Sequence, residues 1–137
     1  MFVRRGFAAL LILSAAIVVS ACSRTQPVYN VLDHPVPVAT QRLPLDQIGR
    51  AIMQAGRQHH WRMGPAGPGQ ITGRLDEGGR EAVISITYSQ QAYNITLAGS
   101  TNLRQEGDEI HKRYNRWIRL LERDIDDNLY MAGYSPK

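Results

Sequence analysis

Gln70–Leu75 (QITGRL), Glu81–Tyr88 (EAVISITY) and Ala92–Ala98 (AYNITLA) are the three runs whose reading decides how this chain folds. Each alternates with a period of two, the mark of a strand with one face buried. Ile71 and Leu75 share one side of the first run; Ala82, Ile84, Ile86 and Tyr88 share a side of the second; Tyr93, Ile95 and Leu97 do so in the third. The opposite side collects Thr72, Arg74, Val83, Ser85, Thr87, Asn94 and Thr96, which are mostly small and polar. Asp76-Glu77-Gly78-Gly79 and Ser89-Gln90-Gln91 are short enough to be hairpin turns, so the runs predict an antiparallel meander.

Working outward, Gly64-Pro65-Ala66-Gly67-Pro68-Gly69 reads as a loop after Trp61-Arg62-Met63. Before it, Pro44 suits a first helical turn, and Leu45, Ile48, Ala51, Ile52 and Ala55 recur at helical spacing, predicting a helix from Pro44 to about Gln58. Gly49 in its middle lowers the helix propensity or permits close approach of a neighbouring strand. On the other side of the meander, a loop is expected over Gly99–Gly107, with Asp108 capping a second helix that frays after roughly Asn128. Ile110, Tyr114, Trp117, Ile118, Leu121 and Ile125 form its apolar stripe; Lys112, Arg116, Arg119 and Arg123 fall within about a 60° arc on the opposite side. The fold class is therefore α+β: helix, three- or four-stranded antiparallel meander, helix, with both helices on one face of the sheet.

The amino terminus carries an address. Arg4 and Arg5 precede an apolar run from Phe7 to Val19, interrupted by Ser14 and followed by small residues, the order of a secretory signal. The run is shorter than the ~20 apolar residues that span a bilayer. Val19-Ser20-Ala21-Cys22 then resembles the bacterial lipobox, processed by the type II signal peptidase. That resemblance implies a diacylglyceryl group on the Cys22 sulfur, cleavage before Cys22 and acylation, typically with palmitate, of the new amino terminus. Ser23 stands where aspartate would direct inner-membrane retention, so the resemblance favours the outer membrane, facing the periplasm.

The chain thus divides into a signal peptide (1–21), a lipidated amino terminus and Pro-containing tether (22–43) and a single small α+β domain (44–137). Pro27, Pro35 and Pro37 favour extended backbone in the tether, which would reach roughly 60 Å if fully extended. Val28, Tyr29, Val31, Leu32, Val36 and Val38 nevertheless make it more apolar than a free spacer, so part of it can lie along the domain. Cys22 is the one cysteine, so no disulfide is available and stability rests on the apolar core. Without Arg4 and Arg5, fourteen basic residues face twelve acidic ones, a net +2 that does not point to nucleic acid.

Tyr93, Ile95, Ser100, Asn102-Leu103, Ile110-His111, Tyr114-Asn115, Trp117-Ile118 and Leu121 are similar to a pattern in small, uncharacterised lipoproteins of Gram-negative bacteria. The resemblance covers the last half of the domain and implies fold and location, with no site residue carried over.

No catalytic or metal site is expected. His59-His60 point about 100° apart on a helix, unlike ligands at i and i+4, and His34 lies in the tether. No G-x-S-x-G elbow accompanies Ser100 or His111, and Asp76-Glu77 and Asp126-Asp127 read as solvated turn and helix-end carboxylates. The expectation is a non-enzymatic, cofactor-free envelope interaction module whose partner is an envelope protein or peptidoglycan. The alternative is binding of anionic glycolipid or phospholipid through Lys112, Arg116, Arg119 and Arg123.

Overall fold

The chain is α+β, with two helices, a five-stranded antiparallel sheet and a separate two-stranded sheet, in a computed structural model that describes residues 23–134. The alternating runs become β4 (Gln70–Glu77), β5 (Arg80–Tyr88) and β6 (Ala92–Thr101). Ile71, Gly73 and Leu75 turn inward beside Ala82, Ile84 and Ile86, and these beside Tyr93 and Ile95. The β4–β5 link is a two-residue turn at Gly78-Gly79, both with positive φ (60° and 77°), the conformation whose twist matches a right-handed hairpin. α1 (Leu45–Gln58) buries Ile48, Ile52 and Ala55. Gly49 sits where an added Cβ would collide with the Tyr88 ring, the close approach its sequence position allowed.

Three boundaries differ from the sequence reading. The Gly-Pro stretch expected as a loop is mostly strand: β3 (Arg62–Gly67) pairs with β4, Pro65 lying opposite Ile71. The sheet order is β2-β6-β5-β4-β3, so β3 is an edge, where a proline without an N–H costs no ladder bond. The second helix, α2 (Lys112–Tyr134), begins three residues later than a cap at Asp108 predicts, because β7 (Glu109–His111) intervenes and carries Ile110 into the core. Asp108 is therefore no helix cap, and its carbonyl accepts the Val28 amide at 2.7 Å. α2 also continues past Asn128, since Leu129 is fully buried and Gly133 packs on Ala39 and Thr40.

The largest difference lies in the segment read as a tether. From Thr25 onward it is part of the fold. β1 (Thr25–Pro27) pairs with β7, and β2 (Val31–Pro35) adds a fifth strand at the β6 edge. Val31, Val36 and Thr40 are buried, and Val36 N–H donates to the Gln91 carbonyl at 2.9 Å. The link between β1 and β2 is held by Asn115 of α2, itself 2 % exposed: its Oδ1 accepts the Tyr29 amide and its Nδ2 donates to the Pro27 carbonyl, each at 2.9 Å. The prolines fix the segment as extended, and the apolar residues between them dock it. The core runs from Val31 to Leu129, with α1 and α2 packed against each other over it.

Candidate functional site

The start of α2 is where the amino-terminal segment, β7 and the basic stripe meet. A helix leaves its first N–H groups without intrahelical partners. Here Lys112 N–H donates to the Arg24 carbonyl at 2.9 Å, and Arg113 N–H donates to His111 Nδ1 at 3.1 Å. His111 is thus the side-chain cap, and its ring nitrogen must be unprotonated to accept. Burial, then the charges of Arg80, Arg113, Arg104 and Lys112, hold its pKa below the ordinary histidine value and favour that state. The Arg24 carbonyl, near the start of the described residues, is thereby fastened to the first residue of the basic helix.

Lys112, Arg116, Arg119 and Arg123 are all exposed and are brought together as the sequence phase predicted. With Gln26 and Leu120 they line a shallow depression of about 380 Å³. Arg119 lies 4.5 Å from the centre of the Tyr29 ring, a cation–π contact that fixes its stem. Arg123 Nε is 3.2 Å from Asp124 Oδ1. Among the described residues no carboxylate lies within 4.0 Å of Lys112, Arg116 or Arg119. Their charge faces solvent. Cys22 and the preceding Val19, Ser20 and Ala21 lie outside the described residues.

A second cluster locks β2 onto α2. His34 Nδ1 is 3.1 Å from Glu122 Oε1 and its Nε2 is 2.9 Å from Asp126 Oδ2, carboxylates one helical turn apart. Tyr29 Oη donates to Glu122 at 2.7 Å and Tyr93 Oη donates to Asp126 at 2.8 Å. Burial, then the hydrogen bond to Asp126, push the Tyr93 phenol far above its usual range. Tyr29 is raised chiefly by its bond to Glu122. Burial raises Asp126, and Tyr93 and His34 act against it. Every member is partnered inside the cluster, so it reads as a clasp between chain segments. Sequence reasoning placed His34 in a spacer and Asp126 at a solvated helix end; the i, i+4 spacing of Glu122 and Asp126 was the available sign, but nothing local names a partner about 90 residues upstream.

The remaining residues singled out in sequence are dispersed. His59 Nε2 is hydrogen-bonded to Asp124; burial alone would raise that carboxyl, but His59 and Arg123 more than offset it and hold it below the usual range. Ser100 Oγ donates to Gln105 Oε1 at 2.5 Å, while His111 is occupied at the helix cap, so each has its own partner. Trp61, set beside a loop in sequence, is 2 % exposed and packs edge-on against Trp117 at 6.5 Å between ring centres. Among the described residues no group of three or more His, Cys, Asp or Glu side chains is placed to hold a metal ion, and no helix is long and apolar enough to cross a membrane.

No family model, curated protein or solved structure matches the chain.

Proposed function

We propose that this chain is a lipid-anchored outer-membrane lipoprotein facing the periplasm, whose α+β domain is held directly on the bilayer and acts as a non-enzymatic interaction module. The observation that carries the reading is the bond from Lys112 N–H to the Arg24 carbonyl, two residues after the lipobox cysteine. With the segment after it zipped to β7 and stapled by Asn115, an acyl group on Cys22 joins the domain through almost no free chain. Two or three acyl chains make such an attachment effectively permanent.

In this reading both helices cover one face of the sheet, and the other face is left for an envelope protein or peptidoglycan. That face carries Thr72, Ser85 and Thr96 in one register row across β4, β5 and β6, with Thr87 and Asn94 beside them. A flat array of hydroxyl and amide groups suits hydrogen bonding to a polar partner.

Intact-mass measurement of the protein extracted from the membrane fraction tests the proposal. A mature chain beginning at acylated Cys22 is expected, and Cys22→Ala should abolish both acylation and cleavage. A full-length, unmodified precursor in the soluble fraction would overturn it. Photocrosslinking from Thr96 in living cells then identifies the neighbour on the polar face.

A further inference from the structure

We propose that the exposed basic face of α2 (Lys112, Arg116, Arg119, Arg123) seats on the surface of a bilayer bearing anionic phosphate headgroups, so that this face and the lipid on Cys22 make one continuous membrane contact. The inference rests on the lipoprotein reading for where the bilayer lies.

The occupant follows from where the chain is pinned. Cys22 and Arg24, whose carbonyl is bound to the start of α2, are two steps apart along the chain, with Ser23 between them. Fully extended they span about 7 Å, comparable with the roughly 5–8 Å headgroup layer on each side of a hydrocarbon core. The helix terminus holding Lys112 must then lie at the headgroups. From Lys112 to Arg123 the face rises through eleven residue steps, about 16 Å at 1.5 Å each.

The charge of the face matches that surface. Three of the four cations have no carboxylate within 4.0 Å among the described residues, and the fourth shares Asp124. Arg80, Arg104 and Arg113 extend the positive potential around His111 at the same end of the helix. Arginine presents a planar fork that takes phosphate oxygens in pairs, and Leu120 in the floor of the depression supplies apolar contact for the side-chain stems. An acidic protein surface would satisfy the charge but would have to occupy a place that the anchor presses against lipid.

The test uses the mature chain with Cys22→Ser, which folds without lipid because, among the described residues, the apolar core and the side chains packed on it begin at Val28. Flotation is measured with phosphatidylcholine vesicles containing phosphatidylglycerol and with phosphatidylcholine alone. The chain should partition onto the anionic vesicles only and be released as salt approaches 1 M, where screening shortens to about 3 Å. The variant Lys112→Gln, Arg116→Gln, Arg119→Gln, Arg123→Gln should bind on the order of a hundredfold more weakly. The pair Lys112→Gln, Arg116→Gln, which removes no ion pair, should lose about tenfold or more with an unchanged thermal melt. A charge-matched control, Arg42→Gln, Arg50→Gln, Arg57→Gln, Arg62→Gln, should bind as the parent does. No preference for anionic vesicles, full binding by the stripe variants, or equal loss in the control would each overturn the proposal. Because this assay needs no acyl group, its result is separate from the intact mass at Cys22, which alone decides the lipoprotein reading.

Discussion

Asn115→Ala should release the amino-terminal segment from the domain. The side chain is 2 % exposed and holds the Tyr29 amide and the Pro27 carbonyl at 2.9 Å each, with a weaker 3.4 Å contact to Gln26 Oε1. A polar group left unsatisfied on burial costs about 1–3 kcal/mol. Tyr29 is half-buried, but Pro27 is exposed enough for water to replace part of its bond. The net loss is therefore about 2–3 kcal/mol. For a domain of this length that lowers Tm by roughly 8–12 °C. Asn115→Asp is the informative companion: it still accepts from Tyr29 but buries a charge and turns a second acceptor oxygen toward the Pro27 carbonyl, so near neutral pH it should lose at least as much. Thermal melts followed by circular dichroism give the global effect, and amide exchange locates it, since Val28 and Tyr29 should lose protection before the sheet does. A loss below about 0.5 kcal/mol, with the Tyr29 amide as protected as in the parent, would refute the claim that this contact holds the segment down.

Protonating His111 removes the acceptor that caps α2. Its folded pKa lies below its unfolded value, so the stabilisation is complete above about pH 6.5 and is lost as pH falls through the folded pKa; His111→Asn, which accepts without titrating, should flatten that part of a denaturant-measured stability profile. Tyr93→Phe should cost about 1–3 kcal/mol by leaving the Asp126 carboxylate short of a donor, and in the parent the Tyr93 phenol should stay protonated in an alkaline absorbance titration until the protein unfolds. At Gly133 an added Cβ would lie 2.9 Å from the Thr40 nitrogen and 3.0 Å from the Ala39 carbonyl carbon, both backbone, so Gly133→Ala should destabilise in urea unfolding by about 1–3 kcal/mol despite its gain in helix propensity.

The sheet and α1 were legible because their signals are local. EAVISITY and AYNITLA alternate cleanly, Gly78-Gly79 marks the turn between strands, and the apolar spacing from Leu45 to Ala55 fits one helix face. The phase of Lys112, Arg116, Arg119 and Arg123 was also readable, since helical periodicity alone places them side by side. What the sequence did not reveal depends on partners far along the chain. Thr25–Pro27 is a strand only because Glu109–His111 lies beside it, and Val28 and Tyr29 are held by Asp108 and Asn115 more than 75 residues away. The prolines that suggested a tether are equally at home in short edge strands, and Pro65 repeats the case at the other end of the sheet. Asp108 resembled a cap because Asp often is one; β7 displaced the helix start and gave the role to a histidine ring, a rarer choice with no composition signal.

The most direct test of the account is the height of the domain above its membrane. Neutron reflectometry on the acylated mature protein in a supported anionic bilayer should show protein density beginning at the headgroups with no intervening water layer. A solvent gap of tens of ångströms, within the roughly 60 Å that a free 22–43 segment could span, would contradict it.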